Sequence, residues 1–192
     1  MLDSARIGRV NGRQNVTSGG LVYLESATAS SETTLDLFGA IDDTYLFYMF
    51  RYSITVGTDN DALVLQTTAD NSTVDSGASD YSYSRQDQYS ATASDNGSAA
   101  TDRAFLSSST AGRGIGSAAG EAYTGFFWLF DPLCTLGNAR AFFEGSYVDS
   151  SGNVHIVDGS FCRTGQNAIK GVELATNNGN AFSGSIEAYG LV

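Results

Sequence analysis

The chain has 192 residues, of which 42% are hydrophobic and 11% aromatic. That is enough to bury the core of one ordinary domain, and too apolar for a disordered acidic tail. The formal charge is 10 − 21 = −11, which argues against duplex DNA or RNA as a ligand, because phosphate binding takes a basic face.

In chain order, residues 1–20 read as an N-terminal arm. Arg6, Arg9 and Arg13 stand there against a single acid, Asp3, a net +2, whereas residues 21–192 carry 7 − 20 = −13. Arginine forks pair bidentately with carboxylates, so these three are the candidate partner-binding residues, aimed at an acidic surface. A frayed terminus is the alternative. The segment MLDSARIGRVNGR has no apolar signal-peptide core, and no run of about 18 apolar residues predicts a transmembrane helix.

From residue 21 the pattern has period two, which predicts strands. Over Thr44–Val56 one parity is Leu46, Tyr48, Phe50, Tyr52, Ile54 and Val56, and should face a core. The other parity is apolar only in its first half, so something else should cover that half. Further strands are predicted at Leu21–Thr28, Thr34–Phe38, Ala62–Thr68, Tyr81–Arg85, Arg103–Ser107, Tyr123–Phe130, Arg140–Val148, Val154–Arg163, Ile169–Thr176 and Phe182–Leu191. Gly, Asn, Asp and Ser separate them, as in Asp149-Ser-Ser-Gly-Asn153, and make turns through positive φ or bonds to their own backbone. Many short strands with frequent turns predict an all-β, antiparallel sandwich over residues 21–192. Gln86–Glu121, rich in Ser, Ala and Gly, reads as a long surface excursion holding one short strand.

Candidate chemistry is sparse. Gly112–Gly120 lacks the Lys-Ser/Thr of a phosphate loop and reads as a flexible loop. Asp59-Asn-Asp61 and the acids from Asp70 to Asp75 are expected to serve turns, calcium being the alternative. His155, the only histidine, lies inside a strand pattern and is expected to be partly exposed there. Nothing nominates a nucleophile beside it or a carboxylate pair, so no catalytic residue, metal ligand or cofactor is assigned. Cys134 and Cys162 are expected to be buried free thiols. Trp128, with Phe126, Phe127 and Phe130, is expected in the core. Tyr81, Tyr83 and Tyr89 are expected on the surface, where they could stack on sugars or pack on another subunit.

Several runs, taken in order, resemble one family. They are Asp42-Asp-Thr-Tyr-Leu-Phe-Tyr-Met-Phe-Arg-Tyr-Ser-Ile54, Thr58-Asp-Asn-Asp-Ala-Leu-Val-Leu65, Asp75-Ser-Gly-Ala-Ser-Asp-Tyr-Ser-Tyr83 and Gly125-Phe-Phe-Trp-Leu-Phe-Asp-Pro132. The chain then closes with Ile169-Lys-Gly-Val-Glu-Leu174 and Gly179-Asn-Ala-Phe-Ser-Gly-Ser-Ile-Glu-Ala-Tyr-Gly-Leu191. Over roughly residues 34–191 this order resembles tailed-bacteriophage virion accessory proteins, which serve as capsid decoration or cement, head-fibre or tail-associated modules. Thr67-Thr-Ala-Asp-Asn-Ser-Thr73 departs from the glycine turn usual in that family. The resemblance implies a jelly-roll-like β-sandwich without a catalytic set. It implies a virion location after assembly in a host cytoplasm, with a major capsid protein or other virion protein as partner. It further implies a homo-oligomer, with a trimer on a capsid three-fold the simplest form. A tail- or fibre-associated module binding host polysaccharide is the alternative.

Overall fold

The computed structural model describes residues 20–90 and 92–192. The arm expected over residues 1–20, with Arg6, Arg9 and Arg13, lies outside the described residues except for Gly20. Among the described residues there are twelve strands and no helix. They are β1 (Leu21–Glu32), β2 (Thr34–Phe38), β3 (Phe47–Val56), β4 (Leu63–Thr68), β5 (Tyr81–Tyr89) and β6 (Thr92–Thr101), then β7 (Ala104–Phe105), β8 (Tyr123–Phe130), β9 (Arg140–Val148), β10 (Val154–Arg163), β11 (Gly171–Thr176) and β12 (Phe182–Leu191).

The strands form two antiparallel sheets, so the fold is an all-β sandwich. The large sheet runs β1-β12-β3-β8-β9-β10-β5-β6 and the small sheet β2-β11-β4-β7. A simple jelly roll has about eight strands; here an eight-stranded sheet is packed on a second one of four. One core cluster fills the space between them, from Ala29 of β1 to Ala188 of β12.

Period two decides which side chains enter that core. On β3 the parity Tyr48, Phe50, Tyr52, Ile54 and Val56 is buried, as predicted. The stacked rings of Phe50 and Phe127, with centroids 4.7 Å apart, join β3 to β8. Large rings need small neighbours. A Cβ at Gly125, which pairs with Tyr52, would lie 2.6 Å from the Tyr52 hydroxyl oxygen, and one at Gly145 would lie 2.5 Å from the Tyr123 ring. Real Cβ atoms do not approach so closely, so glycine lets these tyrosines lie across the sheet.

The predicted excursion over Gln86–Glu121 needs correction. β5 continues to Tyr89 and turns back as β6, pairing from Tyr89–Thr92 to Tyr81–Thr101. β6 is the edge strand and buries almost nothing, so it has no apolar alternation to reveal it. Its register comes from backbone bonds to β5.

On the small sheet Leu35, Leu37, Leu65, Val172 and Leu174 face the core. The outer face sets Asp36 directly across from Glu173. Partial burial and then the Asp36 charge push the Glu173 carboxyl up to about 7. A carboxyl with a pKa higher in the folded than in the unfolded chain costs stability once it must ionise. Stability should therefore fall as pH rises from about 4.5 to about 7. Glu173→Gln is expected to flatten that slope and to stabilise the protein at pH 8 by on the order of 1 kcal/mol, after allowance for solvent screening. Urea titrations at pH 5 and pH 8 check this; an unchanged slope in the variant would assign it elsewhere.

Candidate functional site

Two groupings of side chains stand out, one on the outside of the large sheet and one inside the sandwich. The outer one follows from strand parity. On β8, Phe127 and Leu129 enter the core, which leaves Phe126, Trp128 and Phe130 on the opposite face. On β3 the same alternation turns Phe47, Met49 and Arg51 outward. The expectation that Trp128, Phe126 and Phe130 are core is corrected: of that group only Phe127 is, because β8 is apolar on both faces.

The register aligns these residues with others. Tyr23 of β1, Tyr189 of β12, Met49 of β3, Trp128 of β8 and Phe142 of β9 form one row across five strands. Tyr23 and Tyr189 meet edge to face at 5.8 Å, and Phe47 meets Phe130 likewise at 5.7 Å in the neighbouring row. Tyr23 and Phe142 are 55% and 43% exposed. Arg51 borders the row and reaches Glu187 at 3.3 Å, while the Tyr189 hydroxyl donates to the same carboxylate at 2.6 Å. That bond, which the phenolate could not make, raises the Tyr189 pKa.

No family model matches the sequence, and no curated protein sequence matches it either.

The inner grouping centres on His155, which is fully buried rather than partly exposed. β10 turns it inward with Val157 and Phe161. Its Nδ1 lies 2.8 Å from Asp87 Oδ1 and its Nε2 3.1 Å from Asp149 Oδ2. Both carboxylates are buried. Each ring nitrogen thus has a buried carboxylate oxygen within hydrogen-bond reach, which fixes the orientation of the imidazole. Tyr147 and Tyr89 stack on either side of the ring at 4.5 and 4.8 Å, and the Arg113 guanidinium lies over the outer tyrosine, Tyr89. Burial raises the Asp149 pKa, but bonds from the Asn153 side chain and backbone, His155 and the Ser151 backbone outweigh it and hold the carboxyl at about 2.

This cluster ties down the chain between β7 and β8. The Tyr147 hydroxyl donates to the Arg113 carbonyl at 2.7 Å, Arg85 donates to the Ser107 carbonyl, and the Tyr123 hydroxyl donates to the Leu106 carbonyl at 2.7 Å. Ile115 bridges Asp61 on one side and Asp149 on the other. Within the glycine-rich run Gly112–Gly120, expected as a flexible loop, Gly114, Ile115 and Gly116 are therefore buried and held from both sides, while its two ends are exposed. Gly114 passes so close to Asn60 that no side chain fits.

The remaining sequence candidates have structural partners. Asp59 accepts from the Ser117 backbone and hydroxyl, Asp61 from Asn178 and Asn180, and Asp70 from Thr68, Ser72 and Thr73. Asp75 holds the buried Arg163 at 2.8 Å. Asp70 organises its own turn, as expected, whereas Asp59, Asp61 and Asp75 join segments far apart in the chain. Tyr81 is fully buried, contrary to expectation, and its hydroxyl donates to the Asp75 carbonyl at 2.9 Å. Tyr83 and Tyr89 are half-buried, and so are the free thiols Cys134 and Cys162, which were expected to be buried.

Sequence reasoning missed Asp87, Asp149 and Arg85 as core residues. The alternation Tyr81, Tyr83, Arg85, Asp87, Tyr89 was present, but charged residues on the inward parity disguised which face is buried and how far the strand runs past Arg85.

Proposed function

We propose that this chain is a structural protein of a bacteriophage virion. It acts as a capsid decoration or cement protein, through protein–protein contacts rather than catalysis. The observation that carries the interaction reading is the exposed aromatic face of the large sheet, set on a stiff module whose one histidine is locked in the core. Apolar patches of this extent on a water-facing surface mark binding surfaces. The ordered runs between residues 34 and 191 support the virion reading. On this proposal the virion contact adds Arg6, Arg9 and Arg13, which meet an acidic surface on a major capsid protein or another virion protein.

Rings such as Trp128 and Phe142 beside Arg51 and Glu187 also suit a flat sugar platform. This favours, as the second reading, a tail- or fibre-associated module that binds host polysaccharide. Quantitative mass spectrometry of purified particles separates the two. Copy numbers in the hundreds are expected for decoration; a few to a few tens would point to tail or fibre. Absence from particles would overturn both.

A further inference from the structure

The aromatic face of the large sheet needs a particular occupant, and we infer that it is a second copy of this chain, packed face to face. This rests on reading that face as an interaction surface and adds what covers it.

Charge is the first argument. Residues 21–192 carry 7 − 20 = −13. Of the seven cations, Arg85 and Arg163 are buried, Arg103 holds Asp102 and Arg113 lies on Tyr89. Two of the other three, Arg51 and Arg140, lie on the aromatic face, where Glu144 and Glu187 balance them. The face is thus neutral on a strongly acidic molecule. Two copies meet least like-charge repulsion there, and a two-fold arrangement offers each copy's arginines the other's carboxylates. Asp158 on β10, one strand past Glu144, begins the acidic remainder.

Extent is the second argument. With aromatic side chains offering ~150–250 Å² each, the four most exposed rings, Tyr23, Phe47, Phe130 and Phe142 at 37–55%, present roughly 350 Å². The half-buried Met49, Phe126, Trp128 and Tyr189 between them, with the charged rim, extend the patch toward the ~800 Å² per partner of an ordinary specific interface. Apolar core and charged rim also follow the usual anatomy of such interfaces. Because the same patch serves both copies, closure is two-fold and no edge is left to propagate a fibre.

The test is sedimentation velocity on the full chain from about 1 to about 100 μM, with two variants and a control. The wild type should be a dimer. Arg51→Glu/Arg140→Glu makes each face strongly acidic, and Phe142→Asp puts a charge into the aromatic row. Each should weaken dimerisation tenfold or more while circular dichroism and melting stay unchanged. The control Ile156→Ser, exposed at the far end of the same sheet face, should leave the dimer intact. The rim variant keeps the test valid should Phe142→Asp fold poorly. A wild-type monomer throughout this range overturns the inference. So does an oligomer, two-fold or three-fold, indifferent to both variants, or a monomer that binds polysaccharide through this face. A monomer abundant in particles would sink the dimer and leave the virion reading standing; a dimer absent from particles would do the reverse.

Discussion

Asp87→Ala is expected to destabilise the protein by about 3–5 kcal/mol, the usual cost of removing one partner from a buried charge pair. His155 would keep Asp149 but lose the carboxylate 2.8 Å from Nδ1, at a site without solvent. The damage should also be local. The Tyr147 hydroxyl lies near Asp87 Oδ2 as well as the Arg113 carbonyl, so the chain between β7 and β8 should open to protease before the sandwich unfolds. Asp87→Asn keeps the shape and one acceptor, and should cost less. Urea denaturation with limited proteolysis measures both effects. A loss under about 0.5 kcal/mol for Asp87→Ala would mean that water already shares this site and that the cluster holds nothing in place.

Phe50→Ala should cost a comparable ~3–5 kcal/mol by a different mechanism, the loss of transferred apolar area plus an unfilled cavity. Phe50 is fully buried, stacks on Phe127 and sits on an inner strand of the large sheet, where β12 and β8 on either side limit collapse around the gap. The melting temperature reports it. Phe47→Ala, three residues earlier on the same strand and on the outer face, is the matched comparison and should cost far less. Equal losses from the two would show that the outer face is as tightly packed as the core.

The sequence by itself determined the all-β class and most of the strands. Where one parity is apolar and the turns carry Gly, Asn or Asp, as along β3, β9, β10 and β12, the physics is local. A pleated strand must put alternate residues on one face, and only the apolar face can be buried. It also pointed to a turn role for Asp70, whose bonds to Thr68, Ser72 and Thr73 form within three residues; Asp59, Asp61 and Asp75 are held instead by partners far along the chain.

Tertiary structure decided three matters that local pattern cannot reach. β6 is strand only because β5 supplies its hydrogen bonds; its own side chains bury nothing that would mark it. β8 is apolar on both parities, so its sequence could not say which face meets the core. Its registers with β3 and β9 gathered Trp128, Phe130 and Phe142 into one exposed surface. His155 looked like a strand residue with an open side. What fixed its environment was the arrival of Asp87 from 68 positions away, together with Asp149 six positions off across a turn. A buried charge is tolerated only when its partners come with it, and which residues come together is set by the pairing of whole strands rather than by any one of them.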